Sequence, residues 1–252
     1  MKIVRFAIDG ETGYGVLDGE SVICLAGHPC SDLKTTGRVF SLADVKLLAP
    51  CTPTKIVAVG VNYRSHGEEM SHRLPAEPLL FIKPSTAVIG PEDDIVYPAS
   101  SERVDYEGEL AVVIKTRARQ VAEKDAPDYI LGYACFNDVT ARDLQAKDKQ
   151  WTRSKGFDTF APIGPCIETE LDPTNLALET RLNGEIKQQT NTAELIFPVF
   201  KLISFISNVM TLLPGDVIAT GTASGIGPMQ PGDTVEVTIE NIGTLRNHVV
   251  KP

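Results

Sequence analysis

Two glutamates in the segment VDYEGELAVVI, Glu107 and Glu109, stand two residues apart, and in an extended strand their side chains point to the same face, roughly 6 to 7 Å from one another. The rest of that segment is apolar on both faces, with Ala111 and Val113 on the side of the glutamates and Tyr106, Leu110, Val112 and Ile114 on the other. This is the pattern of a strand buried on both sides. Two like charges in such a place repel or force one group to take up a proton, unless a cation neutralises them. A third acid, Asp138, ends the apolar run YILGYACFND and completes a set of three oxygen donors. Oxygen-only ligation suits a hard cation, Mg²⁺ or Mn²⁺, better than zinc. The plainer alternative puts Glu107 and Glu109 on the solvent face of an edge strand and makes Asp138 the cap of a turn or helix. The doubly apolar strand weighs against it.

Other groups capable of chemistry lie on either side. His66 and Glu69 in NYRSHGEEM are three residues apart, so one helical turn would bring an imidazole against a carboxylate, the arrangement of an oriented general base. The polar run from 62 to 78, with Gly67, Pro75 and Pro78, also reads as a loop or a lid that orders over substrate. Downstream of Asp138, a helix over 139–149 would take Asp138 as its N-cap and place Arg142 and Gln145 on one face. Lys155 follows, among Trp151, Phe157 and Phe160; for any single cation here a solvated surface is the competing reading. The stretch ATGTASGIGPMQPGD, with Gly221, Gly225 and Gly227, offers backbone N–H groups to a carboxylate or forms a glycine-rich hairpin loop. It lacks the G-x-G-x-x-G spacing of a dinucleotide fold. His28, His72 and His248 have no acid or cysteine pattern around them and read as structural.

The elements that must hold these residues are mostly strands. Residues 2–25 contain short strands broken by Asp9-Gly10 and Asp18-Gly19, and LLAPCTPTK reads as a linker. This predicts a small N-terminal β domain over 1–52 and a second domain over 53–252. The second contains KIVAVGVNY, PLLFIKP, VDYEGELAVVIK, YILGYACFNDV, PIGPCIE, LALETRLNGE, DVIATGT and TVEVTIENIG, with Pro-Gly-Asp turns at 214–216 and 231–233 each launching a strand. Helices are few, at 139–149 and 198–212. The fold class is α+β and strand-dominated.

Composition narrows the function. With 252 residues, 42% of them hydrophobic, the chain can bury a large core. The 33 acidic residues against 24 basic give a formal charge of -9, which opposes binding to nucleic acid or an anionic membrane. No membrane-spanning run or signal peptide is expected, so a cytoplasmic location follows. The five cysteines, Cys24, Cys30, Cys51, Cys135 and Cys166, form no CxxC pair and read as packing residues in a reducing compartment.

Taken in order, VGVNYRSHGEEM, PLLFIKPSTAVIGP, DYEGELAVVI, GYACFNDVTARDLQ, SKGFDTFAPIGP and ATGTASGIGP resemble the fumarylacetoacetate hydrolase family over about residues 55–248. The resemblance implies a mixed β-sandwich or roll with a small N-terminal β unit, commonly a homodimer, and Mg²⁺ (with Mn²⁺ as a substitute) held by Glu107, Glu109 and Asp138. It further implies His66 and Glu69 as a catalytic dyad on a lid and Lys155 as a third catalytic residue. Arg142, Gln145, Thr159 and Thr222 match substrate-contacting positions. An additional upstream acid of the larger fumarylacetoacetases has no counterpart here, which weighs against that narrow activity. The implied substrate is a small 2-oxo acid or its enol, processed through a metal-bound enolate as in aromatic catabolism. C–C hydrolysis of an acylpyruvate, decarboxylation of oxaloacetate and isomerisation of a 2-hydroxy-dienedioate all share that enolate. The alternative from another class is a non-catalytic, metal-stabilised β module that binds an acidic ligand or a protein partner; it would keep the three acids and have no use for His66, Glu69 and Lys155.

Overall fold

The computed structural model describes residues 1–69 and 74–252, so His72 and part of the 62–78 segment lie outside the described residues. The centre of the fold is the strand Gly108–Ile114, every residue of which is buried. It lies inside a twelve-stranded mixed sheet, antiparallel to both Ile130–Asn137 and Val217–Ala219; the latter runs parallel to Lys55–Gly60, and Leu79–Pro84 forms the edge. The alternation read from the sequence holds. Leu110, Val112 and Ile114 enter one hydrophobic cluster, whereas Ala111 and Val113 enter another on the opposite face.

The first cluster is closed by a second layer. A five-stranded sheet supplies Leu178, Val237 and Leu245 from Ala177–Leu182, Thr234–Ile239 and Gly243–Val250, and a helix over Val199–Val209 adds Leu202, Ile203 and Ile206. Val199, Leu202, Ile203 and Ile206 are spaced for one helical face, and all four are buried. That helix is shorter than the expected 198–212, because Pro198 stands at its N-cap and Met210 is already extended. At the other end of the large sheet the strands Glu11–Asp18, Ser21–Leu25 and Thr35–Ser41 form an antiparallel meander, joined through Lys2–Ile8 to Ala161–Glu168. The amino group of Met1 fixes this junction 2.5 Å from Glu168 Oε1. No helix among the described residues is long and apolar enough to cross a membrane.

Two expectations change. The helix expected over 139–149 is limited to Arg142–Asp148, since Thr140 and Ala141 pair with Asp105 and Val104 as a short strand. Asp138 therefore does not cap it; Ala141 is the N-cap, and the Asp138 backbone N–H donates instead to the Glu107 carbonyl at 2.9 Å. The first Pro-Gly-Asp turn also does more than reverse the chain. Buried Asp216 accepts hydrogen bonds from the N–H groups of Thr54 (3.0 Å), Lys55 (3.2 Å) and Leu213 (2.8 Å) and from the Thr54 hydroxyl (2.6 Å), and it pairs with the Lys55 ammonium. One carboxylate thus locks the start of Val217–Ala219 to the start of Lys55–Gly60.

Burial pushes the Asp216 carboxyl up, but the hydrogen bonds from Lys55 and Thr54 outweigh it and hold the group below its ordinary value of 3.8. A lowered folded pKa contributes stability that is complete above the unfolded value and is lost as pH falls through the folded one. Asp216→Ala is therefore expected to cost about 3 kcal/mol in urea unfolding at pH 7, by stranding Lys55 and the N–H donors. Between pH 5 and pH 2, on the order of the carboxylate range, the gap to the wild-type protein should narrow.

Candidate metal centre

Glu107 sits where the chain changes sheets. Val104–Tyr106 belongs to a three-stranded sheet with Thr140–Ala141 and Gly227–Met229, and Gly108–Ile114 to the large one. The crossing needs glycine at 108, because a Cβ there would lie 2.0 Å from Thr180 Oγ1. The junction is tied on both sides: Glu107 N–H donates to Asn137 Oδ1 at 2.9 Å, and Gly108 N–H to Gln188 Oε1 at 2.9 Å. With Gly108 opposite Asn137 in register, the next residue, Asp138, is carried up beside Glu107.

Glu107, Glu109 and Asp138 consequently converge. They are 4%, 1% and 1% exposed, and each offers an oxygen within 4.8 Å of the others. Three cations surround them, Lys83 from an earlier strand and Arg142 and Lys155 from the short helices after Asp138. Lys155 Nζ donates to Glu107 Oε2 at 2.8 Å and to Asp138 Oδ2 at 2.5 Å. Arg142 Nη2 donates to Glu107 Oε1 at 2.5 Å, and Lys83 pairs with Asp138 Oδ1. Part of the neutralisation that the sequence assigns to a divalent ion is therefore supplied by the protein. Glu109 is the exception: it is bonded to none of these cations and, among the described residues, accepts only the Gly221 N–H, at 2.7 Å.

The acid–base consequences follow from these contacts. Burial raises the Glu107 carboxyl, but Lys155 and Arg142 outweigh it and hold the group far below the usual carboxylate range. Burial, reinforced by Asp138 and Glu107, pushes Glu109 well above it. Burial lowers Lys155, yet Asp138 and Glu107 more than compensate and leave it raised. Three buried carboxylates, one of them bonded to no cation among the described residues, form a donor set that fits a hard divalent ion.

The triad opens on a cleft of about 320 Å³ walled by Val59, Val61, Phe81 and Trp151. The two aromatic rings meet edge to face with centroids 5.1 Å apart, and Gly60 leaves the space for Trp151, since a Cβ there would fall 2.5 Å from the indole. His66 enters the same cleft from the short helix Arg64–Glu69. Its Nδ1 is 3.3 Å from Glu69 Oε2, and Glu69 Oε1 accepts the Gly225 N–H at 2.9 Å. The glycine-rich loop does present N–H groups to carboxylates, but to the protein's own Glu109 and Glu69. Both donors need glycine: Gly221 and Gly225 have φ of 100° and 94°.

Among the substrate-contacting expectations, Arg142 and Gln145 line the cleft, with Arg142 Nη1 donating to Gln145 Oε1 at 2.7 Å and Nε to buried Asp105 at 2.9 Å. Thr222 also lines it, although its hydroxyl donates to the Gly108 carbonyl and accepts from Gln188. Thr159 is not brought there; it has a left-handed backbone, φ 69°, and its hydroxyl accepts the Val96 N–H at 2.9 Å. The sequence reading overlooked Asp105 and Lys83. Asp105 extends the alternation of Glu107 and Glu109 one step backward, and Lys83 is the single charge in the apolar run LLFIKP, so both carried a signal.

Glu109→Gln keeps the acceptor for Gly221 and removes a carboxylate to which no cation among the described residues is bonded. Mn²⁺ binding, followed by electron paramagnetic resonance, is expected to weaken by about 100-fold, the upper end of what loss of even an outer-shell partner costs. The melting temperature should hold or rise.

The sequence matches the family described as fumarylacetoacetate (FAA) hydrolase, C-terminal, over residues 55–250, and that described as Rv2993c-like, N-terminal, over residues 1–50. Protein Rv2993c of Mycobacterium tuberculosis is 48% identical, the match covering 100% of this chain and 98% of that one. The oxaloacetate tautomerase fahd2 of Xenopus laevis is 40% identical over 92% of this chain and 76% of its own. Among solved structures, a 5-carboxymethyl-2-hydroxymuconate delta-isomerase from Mycobacterium smegmatis superposes with a TM-score of 0.95 at 45% identity, covering 100% of both chains. A maleylpyruvate hydrolase from Sphingobium sp. SYK-6, in complex with manganese(II) and pyruvate, has a TM-score of 0.83 at 32% identity, covering 100% of this chain and 99% of that one. The chain belongs to the fumarylacetoacetate hydrolase family.

Proposed function

We propose that the protein is a Mg²⁺-dependent enzyme, with Mn²⁺ able to replace Mg²⁺, acting on small 2-oxo acids or their enols by chemistry at C3. The observation that carries this reading is the meeting of the acid triad, Lys155 and the His66–Glu69 pair in one cleft. Support for a divalent ion also comes from the structural neighbour that holds manganese(II) together with pyruvate. Bound by Glu107, Glu109 and Asp138, such an ion supplies Lewis acidity to the carboxylate and keto oxygens of a 2-oxo acid.

The chain's own residues do the rest. The Lys155 ammonium lies between Glu107 and Asp138 and stabilises negative charge developing on the keto oxygen. His66, oriented through Nδ1 by Glu69, moves the proton at C3 or takes one from water. Glu69 is itself fixed by Gly225, so the imidazole has a defined orientation. Phe81 and Trp151 keep bulk water from the reacting carbon. Arg142 is engaged with Asp105, Glu107 and Gln145, which suits it to fixing Glu107 and the cleft wall.

C–C hydrolysis of an acylpyruvate, oxaloacetate decarboxylation and 2-hydroxy-dienedioate isomerisation share the C3 enolate, and keto–enol tautomerisation, the activity named for the Xenopus relative, is its simplest form. In the same reading residues 1–52 are a small N-terminal β unit, residues 53–252 form the catalytic part, and the protein works in the cytoplasm as a homodimer.

The test is a panel of oxaloacetate, acetylpyruvate and related 2-oxo acids, followed by ultraviolet absorbance with Mg²⁺ and with a chelator. Turnover that the chelator removes is expected; inertness toward the whole panel with Mg²⁺ present would overturn the enzyme reading. His66→Ala should lower kcat by about 10²–10⁴-fold, the usual contribution of a positioned acid–base group. Its Mn²⁺ affinity should not change, and an unaltered kcat would make the His66–Glu69 pair a structural contact.

A further inference from the structure

Lys83 is 0% exposed, a placement that is costly for an ammonium group unless every charge and hydrogen bond is compensated. It stands two residues after Phe81 on the edge strand Leu79–Pro84, on the same face, but Phe81 walls the cleft and Lys83 lies beneath the triad, outside the lining. Its Nζ donates to Asp138 Oδ1 and, at 3.0 Å, to the Val139 carbonyl. The other oxygen of Asp138, Oδ2, is taken by Lys155. Asp138 is thus held at both oxygens by buried ammonium groups, whereas among the described residues none is bonded to Glu109.

That asymmetry has an electrostatic meaning. An ammonium bonded to a carboxylate draws electron density from it and makes it a weaker donor to a cation. The same ammonium repels any second cation that the carboxylate binds, and burial leaves this repulsion poorly screened. Contact with substrate is not open to Lys83, because it does not reach the cleft. As support for the fold alone the pair has no advantage, since a buried ion pair replaced as a whole by apolar residues of similar volume often costs nothing.

We propose that Lys83 is a positioning and tuning residue: its ammonium on Asp138 Oδ1 keeps the divalent cation of the triad loosely held, leaving more of the ion's charge available to substrate oxygens. The inference rests on the reading of Glu107, Glu109 and Asp138 as the cation site. It predicts an unusual sign, since removing a group next to the site should tighten binding. A variant that merely disturbed the structure would weaken it.

The experiment is Mn²⁺ titration by electron paramagnetic resonance of the wild-type protein, of Lys83→Met, which conserves length and volume, and of Lys55→Met. The last removes the lysine of the Asp216 pair, outside the cleft lining, and controls for the general loss of an ammonium paired with a buried carboxylate. Lys83→Met is expected to lower the Mn²⁺ dissociation constant about tenfold, through relief of a like-charge interaction in a poorly screened site; Lys55→Met should leave it unchanged. An unchanged or raised dissociation constant in Lys83→Met overturns the proposal. Should that variant not reach the wild-type circular dichroism spectrum, Lys83→Gln, uncharged but still a hydrogen-bond donor, is measured against the same criterion. If the wild-type protein itself binds no Mn²⁺, the cation reading of the triad fails and the proposal falls with it, an outcome distinct from equal binding by both proteins.

Discussion

Asp138 is a buried carboxylate whose two oxygens are gripped by ammonium groups from 55 residues before it and 17 residues after it. Isolated charge at that depth would be prohibitively costly, so the fold must deliver Lys83 and Lys155 to the same point for the strand Ile130–Asn137 to end where it does. The same condition applies to Glu107, which needs Lys155 and Arg142. Breaking one of these pairs would leave a charge stranded among Val139, Phe136 and the apolar strands beside it. The arrangement of edge strand, central strand and the two short helices after Asp138 can be read as the solution to that single electrostatic requirement.

The large sheet supplies the rigidity this requires. Gly108–Ile114 is buried on both faces and hydrogen-bonded along both edges, so Glu109 is held by a strand constrained on every side. Asp216 fixes the relative register of Val217–Ala219 and Lys55–Gly60, and both strands lead directly into the site, one to Gly221 and Thr222, the other to the helix that carries His66. The proposed catalytic dyad stands on a six-residue helix and is attached to the scaffold through the Glu69–Gly225 contact. In the proposed function, carboxylates on a stiff frame and an acid–base pair on a short helix form a sensible division: a cation site demands fixed distances, whereas the pair must admit a substrate.

Much of this was legible in the residues. Strict alternation along VDYEGELAVVI placed two acids on one face of a doubly buried strand, and the structure separates the two apolar faces into different clusters as that alternation requires. The apolar spacing of Val199, Leu202, Ile203 and Ile206 likewise identified the long helix. What stayed hidden depended on contacts across the chain. The pairing of Thr140 with Asp105, which shortens the helix after Asp138, has no local signature, because it is set by a neighbouring strand 35 residues away. The protein's own cations were partly visible, Arg142 and Lys155 as site residues and Lys83 as a lone charge in an apolar run, but their pairing with the triad was not. Periodicity revealed that negative charge was buried, and the assembled fold shows that, among the described residues, Glu109 is the carboxylate with no cation bonded to it. Thr159 illustrates the opposite error: its motif matched, but its left-handed backbone and its bond to Val96 direct the hydroxyl to a different task.

Glu107, Glu109 and Asp138 are proposed to bind one divalent cation between them. Anomalous diffraction at the manganese edge from crystals soaked in Mn²⁺ decides whether they do. A single strong peak bounded by oxygens from all three carboxylates is expected, with Lys83 still bonded to Asp138. A triad without a peak, or manganese bound elsewhere while Lys155 continues to bridge Glu107 and Asp138, would contradict it.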